Sequence, residues 1–218
     1  MKVLVAGATG GTGRWIVQAL VDRQIPVKAL VRNLDLAKNL FPPQVELVLG
    51  DVLKPDTLKN AIAGCTVLIC ATGAKPSLDF TGPLQVDYFG TKNLVDIAKS
   101  SGIKQFVLVT SLCVSQFFHP LNLFWLILFW KQQAENYLKE SGLTYTIVRP
   151  GGLKNEDNTY PIVMSSADTL FEGSIPRQKV AHICVESLFQ PASRNKIVEI
   201  VCKADAPAVS DEQLFAQV

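Results

Sequence analysis

An apolar run at 2–6 leads straight into Gly7-Ala8-Thr9-Gly10-Gly11-Thr12-Gly13 and then into the helical pattern Arg14-Trp15-Ile16-Val17-Gln18-Ala19-Leu20. Glycines at 7, 10 and 13, with Thr9 and Thr12 in the same turn, permit a tight passage from strand to helix. They also let backbone N–H groups approach an anion at the positive helix end. When such a turn opens a strand–helix–strand unit, the chemistry it serves is the grip on the pyrophosphate of a dinucleotide. A turn of purely structural purpose is the competing reading.

Sites for NAD place an Asp or Glu roughly 20 residues further on, where it accepts from the adenosine ribose hydroxyls. This chain has Arg32 at that strand end, and its next acidic residue is Asp35. A guanidinium there pairs with a 2′-phosphate and stacks near adenine, so NADP(H) is expected over NAD(H), against a merely solvated surface arginine. In the later Gly50-Asp51-Val52, Asp51 suits the adenine amino group and Val52 the ring face, while a helix N-cap role competes for Asp51. Then comes Cys70-Ala71-Thr72-Gly73-Ala74, where Ala71, Thr72 and Gly73 are small enough for backbone to lie close to a cofactor ribose, or simply to fit a crowded sheet end.

The elements that must position these residues are legible as short β-branched apolar runs at 2–6, 27–31, 45–49, 67–71, 106–110, 144–148 and 197–201, with helical periodicity between most of them. Runs apolar on both sides of the pleat predict strands covered on both faces. The expected fold is therefore α/β, a Rossmann-like, doubly wound, mostly parallel sheet of about seven strands in three layers, αβα. With 218 residues the chain suits one domain, 1–218, whose loop-rich region at 151–177 falls on the substrate side, near the carboxyl ends of the strands. Lys plus Arg 21 against Asp plus Glu 19 gives a net charge of +2 with the basic residues scattered, which argues against a nucleic-acid partner. The 5 cysteines lack CxxC spacing and read as buried free thiols of a reducing compartment. His119 and His182 have no companions at metal-ligand spacing, so no metal is proposed. Glycines interrupt the N-terminal apolar run too soon for a leader, and 117–130 is too short for a membrane span.

With these residues in hand, the chain resembles an atypical short-chain dehydrogenase/reductase of the NmrA-like, NAD(P)-binding branch. The markers are the glycine turn through Arg14, Gly50-Asp51-Val52, Val107-Leu108-Val109-Thr110-Ser111, Trp130-Lys131-Gln132-Gln133-Ala134-Glu135 and the stretch Tyr145 to Leu153, with Ile175-Pro176-Arg177 further along. Within that branch it is similar to cyanobacterial and plastid proteins related to the NADP(H)-binding domain of a chloroplast inner-envelope import component. The resemblance implies a cytoplasmic or plastid stroma-like protein, soluble or peripheral to a membrane.

Conventional members of that superfamily reduce carbonyls with Ser, Tyr and Lys, the last two spaced Tyr-x-x-x-Lys on one helix face so that Lys lowers the Tyr pKa. Here Ser111 and Lys131 occupy the expected catalytic positions, and Ile127 stands four residues before Lys131. Tyr88 and Tyr137 are off that register. Lys131 is expected on the nicotinamide ribose, against a plain surface lysine, and Ser111 on substrate or nicotinamide, against a strand-capping hydroxyl. Arg149 is expected to anchor the loop after the sixth strand, and Pro150 and Gly151 to abut the nicotinamide. The acceptor is then a small molecule needing little enzymic proton donation, such as a flavin or quinone; a non-catalytic NADP(H) sensor or assembly factor is the alternative. Helical spacing at 121–130 predicts a helix apolar all round, which calls for a dimer, a protein partner or a membrane surface unless loop 151–177 covers it.

Overall fold

Ten short segments adopt strand conformation: Val3–Ala6 (β1), Val27–Val31 (β2), Glu46–Leu49 (β3), Val67–Cys70 (β4), Gln105–Val109 (β5), Tyr145–Pro150 (β6), Gly152–Lys154 (β7), Ile162–Ser166 (β8), Ser174–Pro176 (β9) and Lys196–Cys202 (β10). They are seen in a computed structural model that describes residues 1–74 and 79–218. In β1, β2 and β4 every residue is buried, as aliphatic runs covered on both faces require. The helices are Gly11–Asp22 (α1), Leu34–Ala37 (α2), Pro55–Ile62 (α3), Thr91–Ser100 (α4), Ile127–Glu140 (α5), Arg177–Glu186 (α6) and Asp211–Ala216 (α7), with a π-helical segment Pro83–Gly90 leading into α4.

The sheet runs β3-β2-β1-β4-β5-β6-β10, and every neighbouring pair in that run is parallel. Helical spacing brings Ile16, Val17 and Leu20 of α1 onto one sheet face, where they join Val180, Ile183 and Cys184 of α6. On the other face, Leu58 of α3, Leu94 of α4 and Leu138 of α5 cover Leu68 and Phe106. The chain reverses direction across the sheet between β1 and β4, so the glycine turn after β1 and residues 71–74 after β4 open at the same crevice. That is where doubly wound sheets hold their ligands.

Two expectations need correction. Among the described residues the sheet has ten strands rather than about seven, because the region 151–177, expected to be loop, contributes β7, β8 and β9. β8 lies antiparallel on β10, and β9 pairs with β7 and touches β10. β7 is exposed throughout, β8 is half-exposed and β9 is only three residues long, so none carries the apolar run that marked the other seven.

The helix expected over 121–130 is broken. Pro120–Leu123 form a 3₁₀ turn, Trp125 and Leu126 adopt left-handed φ values of 59° and 56°, and α5 begins only at Ile127. Buried Asn122 organises the break: its side-chain oxygen accepts from Leu128 N–H and Phe129 N–H at 2.9 and 3.1 Å, satisfying first-turn donors of α5. Its amide group donates to the Phe117 carbonyl at 2.8 Å. Phe118 (95% exposed), Leu123 (81%) and Phe124 (64%) consequently point away from the core.

All five cysteines are free and four are buried. Burial pushes the Cys184 thiol up to about 12 and raises Cys70 as well, so neither is poised as a thiolate.

Candidate functional site

The turn after β1 explains its own glycines. Gly7 adopts φ +78°, and a Cβ there would lie 2.5 Å from the Ala71 carbonyl oxygen; a Cβ on Gly13 would fall 2.0 Å from the Gly7 oxygen. Those two glycines thus serve the close packing of α1 and β4 on the turn. At Gly11 a Cβ would instead meet the Arg177 side chain at 3.0 Å. Gly10 caps α1 without any side-chain bond, and no acidic residue stands in the first turn. The N–H groups there, the Thr12 hydroxyl and the Arg177 guanidinium are all donors with no carboxylate among them. A donor set of that kind at a helix N-terminus fits an anion such as a pyrophosphate.

At the adenosine end, Arg32 is exposed one residue past β2 and takes part in no ion pair among the described residues. Asp35 is occupied by Lys38 at 2.8 Å. Asp51 does not cap α3, whose N-cap is Lys54; its carboxylate accepts from Leu53 N–H at 3.0 Å. Val52 packs over Gly90, where a Cβ would come within 2.8 Å of it. Both residues therefore hold the loop in shape whatever else they touch.

At the other end of the crevice Lys131, on the first turns of α5, donates to Asp87 at 2.6 Å. Asp87 side-chain exposure is 1% and that of Lys131 is 13%. The second Asp87 oxygen accepts from Ala74 N–H at 3.2 Å, which ties the loop after β4 to the pair. Thr72, Thr91 and Thr110 line the same small pocket, and Gly73 lies beside both charged groups. Sequence reasoning missed Asp87. Its only signal was an acid within the otherwise uncharged stretch Pro83–Gly90.

Ser111 follows Thr110 past the end of β5; among the described residues its hydroxyl has no hydrogen-bond partner, so the strand-capping role is not seen. Ile127 packs against the cluster of Leu112, Cys113 and Val114, leaving an apolar surface where the phenol of a conventional site would stand. Tyr137 faces away and donates to Asp96 at 2.6 Å. His119 caps the 3₁₀ turn through Nδ1, which accepts from Leu121 N–H. Pro150 is buried at the end of β6, and the lack of a side chain at Gly151 is required by Gly173 and Val201 of the same chain.

Arg149, expected to anchor the loop after β6, instead ties down the turn between β8 and β9 through Asp168 at 2.8 Å, and it also reaches Glu135 at 2.7 Å and Glu199 at 3.2 Å. Thr110, which lines the pocket, donates to Glu135 at 2.6 Å, so the floor of the site rests on this buried charge cluster. Further along α6, ligand atoms of His182, Glu186 and, from α7, Asp211 lie within 4.8 Å of one another, a grouping that spacing alone did not show. Arg23 engages Glu186 and Asp211 engages His182, so both have protein partners.

Residues 7–191 match a family described as NAD(P)H-binding. An uncharacterised chloroplastic protein of Arabidopsis thaliana is 49% identical, over 100% of this chain and 82% of its own length. Protein TIC 62 of Pisum sativum is 37% identical over 99% of this chain, which spans 46% of that protein. Sanguinarine reductase of Eschscholzia californica is 33% identical over 100% of this chain and 96% of its own length. Among solved structures, a putative NAD-dependent epimerase/dehydratase from Bacillus halodurans superposes with a TM-score of 0.89 at 27% identity, covering 100% of both chains. The anaerobillin reductase ChuY of Escherichia coli O157:H7 gives 0.81 at 26% identity, covering 95% of this chain and 100% of its own.

Proposed function

The chain belongs to the NAD(P)H-binding family, and on that premise we propose that it is an NADPH-dependent oxidoreductase passing hydride to a conjugated small-molecule acceptor such as a flavin or quinone. The observation that carries the reading is the buried Lys131–Asp87 pair beside Thr72 and Thr110, with apolar Ile127 in place of a phenol. Asp87 accepts a hydrogen bond from one of the three ammonium N–H groups of Lys131 and holds the side chain in place, leaving the others for ligand hydroxyls. Ser111 supplies an unengaged hydroxyl at the same sheet end. The reduced nicotinamide supplies the hydride when bound. The chain's part is to orient, to exclude water and to stabilise an acceptor whose own conjugation spreads the incoming charge. Two of the proteins it resembles are named as reductases, which supports the class of reaction.

NADPH oxidation followed against flavins, quinones, ketones and aldehydes tests this. Turnover is expected with the conjugated acceptors and negligible with simple ketones, since Ile127 stands where the tyrosine proton donor of a conventional site would be. Robust ketone reduction by the unaltered protein would show another group donating that proton. Tight NADPH binding with no turnover on any acceptor would favour the second reading, a non-catalytic redox sensor or assembly factor, to which the same missing donor also points.

We further assign the exposed turn at 117–124 to a membrane surface, in keeping with a plastid stroma-like or cyanobacterial cytoplasmic setting. No Asp, Glu, Lys or Arg occurs between Lys104 and Lys131, and Phe117, Phe118, Leu121, Leu123 and Phe124 are all exposed in this stretch, with the Phe117 and Phe118 rings in contact. Such protruding aromatic and aliphatic groups suit the interface of a bilayer. Among the described residues no helix is long and apolar enough to cross one. Cosedimentation with liposomes is expected for the native protein and is expected to fall severalfold for Phe118→Ser with Leu123→Ser. A native protein that ignores liposomes but loses a dimer on the same substitutions would instead make this face a contact between copies.

A further inference from the structure

Arg177 is the first residue of α6, and its side chain reaches across to the first turn of α1. It therefore lies at the positive ends of two helices at once, where a cation is disfavoured. No carboxylate compensates: Arg177 takes part in no ion pair among the described residues. Its Nε donates to Asn155 at 2.9 Å and one terminal nitrogen donates to the Thr12 hydroxyl at 3.3 Å, leaving the second terminal nitrogen without a partner among the described residues. The side chain borders a cleft of about 330 Å³ that runs from Gly11 along Arg14 and Trp15 to Phe41. Gly11 is the residue that makes room, since a Cβ there would press on the guanidinium at 3.0 Å.

A guanidinium held at two helix N-termini, aimed by an amide and a hydroxyl and facing open space, suits an anion. We infer that Arg177 is a second anchor for the cofactor pyrophosphate, delivered from the start of α6 onto the glycine turn. This rests on the NAD(P)H-binding reading and adds to it a residue distant in sequence from that turn. Asn155, immediately after β7, orients the side chain, so the substrate-side region 151–177 takes part in holding the cofactor.

Calorimetric titration of NADPH, NADH and adenosine 2′-monophosphate separates this role from others. Both dinucleotides carry the pyrophosphate and the monophosphate does not. Arg177→Gln is expected to weaken NADPH and NADH to the same extent, roughly tenfold or more, and to leave adenosine 2′-monophosphate unchanged. Unchanged dinucleotide affinities in a folded Arg177→Gln protein overturn the inference, as does an equal loss for the monophosphate. Should that variant fail to fold, Arg177→Lys decides, since it keeps the charge and loses the planar fork. A severalfold loss for both dinucleotides supports the anchor, and no loss removes it. A native protein that binds neither dinucleotide would refute the cofactor reading itself, a different result from native binding that Arg177 does not affect.

Discussion

Arg32→Asp is expected to weaken NADPH by roughly tenfold to over a hundredfold, from the loss of about 1.5–3 kcal/mol in a charge-assisted contact. NADH should bind as well as before or better. Arg32 is exposed just past β2 and makes no ion pair with the rest of the chain, so the substitution removes nothing the fold depends on. The backbone beyond it is fixed separately, by Asn33 accepting from Leu36 N–H at 3.0 Å. An Asp at that strand end repels a 2′-phosphate and accepts from the ribose hydroxyls that NADH offers. Titration of both cofactors into both proteins reads the outcome. A native preference for NADH, or equal weakening of the two cofactors, would show that Arg32 does not read the 2′-phosphate. Equal weakening is the signature expected of Arg177→Gln, so the two arginines give distinguishable results in one experiment.

What the sequence disclosed and what it hid divide along a physical line. Periodicity records burial, and the strands at the middle of the sheet were legible because burial on both faces leaves an unbroken aliphatic run such as Val3–Ala6. The glycine turn was legible because steric demands of a single turn are local. β8 was not, since a half-exposed outer strand has no such run. The break at Trp125 and Leu126 was hidden by apolar spacing that mimics a helix, although Asn122 stood within it as the residue that organises the break. Polar meetings across long separations left no trace at all. Lys131 could be placed by its register, but its partner Asp87 lies 44 positions away, and Arg177 meets Thr12 across 165. Neither pair has a spacing that sequence can display, and both complete the candidate site.

Arg149→Met is expected to cost about 3–5 kcal/mol of folding stability, the range for removing one partner from a buried ion pair. Arg149 is 3% exposed, and the Glu135 and Glu199 side chains are each 1% exposed. Burial opposes the guanidinium charge, yet the hydrogen bonds and fields of Glu135 and Asp168 outweigh it and hold the arginine pKa above its ordinary value. One cation already serves three carboxylates, and methionine would leave two of them buried with none. Glu199 would keep the N–H groups of Asp168, Thr169 and Leu170, and Glu135 the Thr110 hydroxyl, but hydrogen bonds alone do not replace a countercharge. Urea unfolding measures the loss, and a compensated variant identifies the cause. Adding Glu135→Gln and Glu199→Gln should recover much of the stability, because a neutral amide needs no countercharge. A single variant within about 1 kcal/mol of the native protein, or a triple variant no more stable than the single one, would overturn the ionic account of the cluster.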